Sequence, residues 1–172
     1  MAIIFKNFRE KIINLGPLIL LYFFSISEVD AQFSNLFEIL SFNLQLIIVY
    51  YWMLKDTSIL GHGHVFFAGI INDVVMGLPI GISSITYLVV AFFASYVKNV
   101  TVNTSLFSDW FTFFIAIFFA NLFFYILLNN FSLLTINYID LFYNSFFTIL
   151  FYPALWLIFN IYKNLMVIRY DD

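Results

Sequence analysis

The stretch GIINDVVMGLPIG, Gly69 to Gly81, sets an aspartate in the middle of an apolar run, with a glycine four residues to either side and a Gly-Leu-Pro break directly after. Pro79 has no backbone N–H and restricts the residue before it, so the chain is predicted to reverse here in a tight turn between two helices. Gly69, Asp73 and Gly77 fall on one helical face, which would let another backbone approach the carboxylate closely. An Asp at the centre of a membrane helix costs about 2.5–3.5 kcal/mol on insertion scales, so such a residue faces a bundle interior or a cavity. Asp73 lies about four residues, roughly 6 Å of rise, from the turn.

No Lys or Arg stands near Asp73 in the sequence. Its partner is therefore a neutral donor, the amides that open the helix after Pro79 at its positive dipole end, or a group from another protein. Three roles stay open on the sequence: pinning the turn, forming part of a docking surface, or relaying a proton or ion. A relay needs a second buried titratable group, and Glu38 is the only candidate.

The rest of the chain explains why one carboxylate matters. Of 172 residues 63% are hydrophobic and 10% charged, and 25 are Phe. Soluble domains carry about 25% charged residues, so this chain cannot cover a core with polar surface, and lipid is the expected solvent for most of it. There is no cysteine, which excludes disulfides and thiolate chemistry. No basic cluster is interleaved with aromatics, which argues against nucleic acid as a partner.

A membrane helix needs about 20 mostly apolar residues. Runs of that kind predict six spans in one all-α bundle, at about 12–29, 36–54, 63–77, 80–97, 109–128 and 141–162. The third is the shortest, and at 1.5 Å per residue it reaches only roughly 22 Å. With the N-terminus in the cytoplasm, six crossings put all seven Lys and Arg (Lys6, Arg9, Lys11, Lys55, Lys98, Lys163, Arg169) on that side, and both termini with them. The outer side then holds Glu28, Asp30 and Asp140, with Glu38 and Asp73 in the adjoining half of the membrane. A docking partner segment would accordingly bring Lys or Arg near the outer interface. The N-terminal run followed by Val29-Asp30-Ala31 also has the form of a cleaved signal peptide. We read it as a retained first span, because cleavage would leave an odd set of five. No repeat or linker divides the chain, so residues 1–172 read as one domain.

Motifs for phosphate cradling, zinc hydrolysis or a serine nucleophile are absent, and no catalytic, cofactor-binding or metal-binding residue is expected. His62 and His64 lie in Gly-His-Gly-His, read as a cytosolic turn with too few ligands nearby for a metal. Polar residues within the spans, among them Asn43, Gln45, Asn72, Ser83, Ser84, Thr86, Asn121, Asn144, Ser145 and Asn160, are read as helix-to-helix hydrogen bonds. Pro17 and Pro153 are expected to mark kinks in the first and sixth spans.

Two segments carry a resemblance. VYYWMLKD, Val49–Asp56, and FFAGIINDVVMGLPIGISSITYLVVAFF, Phe66–Phe93, together resemble MreD, the rod shape-determining membrane protein family of bacteria. The matching positions are Tyr51, Trp52 and Leu54, then Gly69 and Asp73, then Gly77, Pro79 and Gly81; chain length, span number and Pro17 also agree. One departure is SFNLQL, where family members often carry a proline entering the second span. The resemblance implies a non-enzymatic, multi-pass inner-membrane component of the cell-wall elongation complex, acting in cell shape and peptidoglycan synthesis. It implies an MreC-like bitopic partner and, less directly, MreB-like filaments and a glycosyltransferase-transpeptidase pair. It also implies a fold similar to the substrate-binding subunits of energy-coupling-factor transporters. A small-molecule-binding subunit of such a vitamin transporter is the alternative, and an enclosed pocket with several convergent donors would favour it.

Overall fold

Asn43 decides where the central helix begins. Its backbone is extended, its side-chain oxygen accepts from Leu46 N at 3.1 Å, and its own N–H donates to Thr148 Oγ1 at 2.8 Å. An Asn that satisfies one of the orphan amides in this way starts a helix. The second helix is therefore Leu44–Lys55, and does not run unbroken from residue 36 as the apolar pattern predicted. The computed structural model describes residues 15–27, 43–57, 60–101, 105–131 and 138–168. The expected span ends at 12–14 and 28–42, with Glu28, Asp30, Glu38 and the alternative cleavage site, lie outside the described residues.

Six helices account for almost all of these residues: α1 Gly16–Ser27, α2 Leu44–Lys55, α3 His62–Met76, α4 Ile82–Val100, α5 Leu106–Phe131 and α6 Tyr138–Ile168. No strand occurs among the described residues. Helix α2 is buried on every side from Gln45 to Leu54, as expected of a core helix that is apolar all round. It packs against α1, α4 and α6, while α3 lies against α1 and α4, and α5 against α4 and α6. Its 12 residues rise about 18 Å, and with Gln45 to Leu54 all buried, protein surrounds it.

Around α2 sits an aromatic core. Phe113 of α5 stacks on Tyr152 of α6 at 4.3 Å, and Tyr50 meets both rings while its hydroxyl hydrogen-bonds Thr112 Oγ1 at 2.5 Å. Ring pairs of this kind contribute about 0.5–1.5 kcal/mol each beyond the area they bury.

The two prolines act differently from each other. Pro17 falls in the first turn of α1, where a missing N–H leaves nothing unsatisfied, and so does not mark a kink in the described helix. Pro153 lies inside α6 and leaves the carbonyl of Ile149, four residues earlier, without its helical donor. Trp110 of α5 fills that gap, donating from Nε1 to Ile149 O at 2.9 Å. The proline thus creates an acceptor that ties two helices together.

Helices α5 and α6 extend beyond the predicted limits at both ends, and Leu106–Phe131 and Ile139–Asn164 are long and apolar enough to cross a membrane. Along α5, Phe107, Phe111, Phe114, Phe118 and Phe123 are exposed, while Phe113, Ala116, Ile117 and Ala120 face inward. Helices α3 and α4 run in opposite directions, with His62 beside Ser95 and Asp73 beside Ser83. The described lysines, Lys55, Lys98 and Lys163, lie at the end of the bundle where α2, α4 and α6 finish. Asp73 and Asp140 lie at the other end, beside one cavity.

Candidate functional site

Helix α3 ends at Gly77, whose φ of 63° and ψ of 25° are left-handed, a conformation in which glycine meets no Cβ penalty. Leu78 N donates to Asp73 O at 2.9 Å and Gly77 N to Val74 O at 3.4 Å, the paired bonds of a Schellman turn. Four residues after Gly77, Gly81, with φ 108°, caps the start of α4 but has no side chain to satisfy the amides there. Asp73 supplies that cap from the preceding helix: its Oδ2 accepts from Gly81 N at 2.7 Å and its Oδ1 from Ser83 N at 2.8 Å. Of the partners open to it on the sequence, the structure shows the amides of the next helix. The carboxylate is fully buried, with both oxygens engaged and a helix's positive end in front of it. Buried in this way, it is not open to a cation from a partner.

The glycines divide the remaining work. A Cβ at Gly69 would overlap the backbone of Ser84, lying 2.6 Å from its N, so α3 and α4 touch there backbone to backbone. Ser84 Oγ also donates to Phe66 O at 3.1 Å. Gly77 does not share this role, since nothing lies within 4 Å of its Cβ position; dihedral angle, not space, requires glycine there. Gly69→Ala is expected to cost about 1–3 kcal/mol by forcing the helices apart, whereas Gly77→Ala is expected to cost about 1–2 kcal/mol from left-handed strain alone. Thermal unfolding in detergent micelles checks both. Shortening Ser84 to Gly should relieve neither substitution, because the overlap at Gly69 is with the Ser84 backbone and the strain at Gly77 is in its own dihedral angle.

The same turn walls a cavity of about 350 Å³. Asn72, next to Asp73, donates from Nδ2 to Ser83 Oγ at 3.0 Å and accepts from Gln45 Nε2 at 3.4 Å. Across the cavity Asn121 of α5 donates to Ser145 Oγ of α6 at 2.7 Å, and Asn43 is tied to Thr148 through its backbone N–H. Thr86, Asn144 and Asp140 also line it. Residues that read separately as helix-to-helix hydrogen bonds therefore converge from five helices on one space. Single-sequence reading missed this convergence, because residues such as Asn43, Asn121 and Thr148 are far apart in the chain.

Tyr51 and Trp52 do not join this site. Both are buried where α2 meets α6: Tyr51 lies 5.3 Å from the ring of Phe159, and Trp52 lies 6.2 Å from Phe159 and 6.1 Å from Tyr162. Near them is a group the sequence reading overlooked. Asp109, in the first turn of α5, is fully buried and accepts at one oxygen from Lys55 Nζ at 2.7 Å and Trp156 Nε1 at 2.9 Å. The Lys55 ammonium also lies 5.7 Å over the Trp156 ring. The one available signal was an acidic residue opening an apolar run, and that pattern also describes an ordinary helix start.

His62 and His64 are not in a loop but in the first turn of α3. His62 Nε2 is 3.4 Å from Ser95 Oγ, and His64 Nδ1 is 3.2 Å from Tyr22 Oη, so they address different neighbours. Among the described residues no three His, Asp or Glu side chains are grouped to hold a metal ion. No family model, curated protein or solved structure matches this chain.

Proposed function

We propose that the chain is a non-enzymatic, MreD-like protein with six spans in a bacterial inner membrane and both termini in the cytoplasm, and that it serves the cell-wall elongation complex by binding an MreC-like bitopic partner. The observation that carries this reading is the α3–α4 turn. Four of the positions through which the sequence resembles MreD have mechanical parts in it. Gly69 admits the neighbouring backbone, Asp73 caps α4, and Gly77 and Gly81 take positive φ. A turn locked in this way offers a partner a surface of fixed shape, so little ordering entropy opposes docking. The lysines gathered at one end and the exposed phenylalanines along α5 support a bundle set in lipid, lysine end inward.

The reading predicts that the tagged chain, co-expressed with the MreC-like protein of its own genome and extracted in mild detergent, retains that partner through affinity and size-exclusion steps. Clean separation of two well-folded proteins would overturn it. A second reading, the small-molecule subunit of a vitamin transporter, is favoured by the polar cavity. Recovery of the purified chain with a bound vitamin and an ATP-hydrolysing module, and without a single-span partner, would put it first.

A further inference from the structure

The cavity beside the turn has a hydrogen-bonding inventory that specifies a class of occupant. Ser145 donates to Leu141 O at 2.6 Å, so toward Asn121 it can only accept. Asn121 must then present its N–H to Ser145, which leaves its carbonyl oxygen as an uncommitted acceptor. Ser83 accepts from Asn72, which leaves the Ser83 hydroxyl proton as an uncommitted donor. Asn43 uses its side-chain oxygen on Leu46 N and keeps both amide hydrogens. Thr86 donates to Ile82 O at 2.8 Å and keeps its acceptor lone pairs. Residues with spare donors and residues with spare acceptors thus line one space of about 350 Å³, within the roughly 300–1,000 Å³ of small-molecule sites.

Charge narrows the class further. Among the described residues no Lys, Arg or His lines the cavity, so a phosphate or carboxylate would be buried there without a counter-ion. Asp73 is spent on two amides, and Asp140, at the rim, is exposed, so among the described residues no buried carboxylate at the cavity is free for a cation either. A polyol is an occupant that both donates and accepts at several points without carrying charge. Tyr87 and Phe124 add ring surface against which the C–H face of a sugar packs.

We infer that this cavity binds an uncharged polyhydroxylated group, either a free sugar or cyclitol or the head group of a glycolipid. The inference rests on the cavity and not on the MreD-like reading, and co-purification with a partner does not test it. The full chain in lipid nanodiscs would be titrated with methyl glucoside and myo-inositol, with thermal unfolding as the readout. A parallel set of nanodiscs would contain glucosyl-diacylglycerol. Inorganic phosphate and choline serve as charged comparators.

A rise in melting temperature with the free polyols supports a soluble ligand, and a rise only with the glycolipid supports the lipid source. Asn121→Leu should weaken the polyol response about tenfold, as expected for one lost hydrogen bond. Thr86→Val, which keeps shape and helix, should reproduce the weakening if Asn121→Leu fails to fold. The inference is overturned if no polyol in either form shifts the transition. It is equally overturned if phosphate or choline shifts it as much, or if the folded variants respond like the unmodified chain.

Discussion

Asp73→Leu is expected to cost about 2–4 kcal/mol and to loosen the start of α4, while Asp73→Asn is expected to cost less than half as much. The difference follows from the count of acceptors. The carboxylate holds Gly81 N and Ser83 N, one on each oxygen, and faces a helix N-terminus. Hydrogen bonds to a charged acceptor contribute about 1.5–3 kcal/mol each, and a buried N–H left unpaired carries a penalty of similar size. Asn retains one oxygen and so one of the two bonds, while losing the favourable interaction with the helix dipole. Leu retains neither, and Gly81 has no side chain to take over. Thermal unfolding in micelles gives the ranking, and amide hydrogen exchange at Gly81, Ile82 and Ser83 shows whether the loss is local. Equal costs for Asn and Leu would mean the carboxylate acts by charge alone. Unchanged exchange in the Leu variant would mean α4 has another cap.

How far each feature could be read from the sequence depended on the distance over which its residues act. The α3–α4 turn was legible because its causes are local: proline punctuation, glycine at the reversal, and a carboxylate within ten residues of the amides it holds. The start of α2 was misread because an apolar window averages over Asn43, whereas a single side-chain oxygen on Leu46 N is enough to begin a helix. Pro153 was legible as a disturbance but not as a contact, since the Trp110 that uses the freed Ile149 carbonyl is 39 residues away from it in the chain. The cavity was the least legible of all. Each Asn or Ser looked like an isolated bond between helices, and only packing brings Asn72, Asn121 and Asn43 to one space. Periodicity reports which face of a helix is apolar, but not which polar residues of separate helices meet.

Lys55→Met is expected to be among the most damaging single changes, at about 3–5 kcal/mol, and the double change Lys55→Met with Asp109→Leu is expected to be milder than Lys55→Met alone. The reason is an asymmetry of burial. Asp109 is fully enclosed while Lys55 keeps 12% of its surface exposed. Removing the lysine leaves a buried carboxylate with one indole donor, and its Oδ1 already makes no hydrogen bond. Breaking a buried pair from one side leaves an uncompensated charge, whereas replacing both partners with apolar groups removes the desolvation penalty as well. The residue of the cost in the double variant is the Trp156 N–H, about 1–3 kcal/mol if it finds no other acceptor. Unfolding of the four proteins in the cycle gives the coupling, and a double loss equal to the sum of the single losses would show that the pair carries none. This ion pair joins the end of α2 to the start of α5, whereas Asp73 joins α3 to α4 at the opposite end of the bundle. The two sites lie at opposite ends of the bundle, so Asp73→Leu and Lys55→Met should add to within about 0.5 kcal/mol when combined. A larger departure would mean that α4, which packs on both α2 and α5, transmits strain from one end of the bundle to the other.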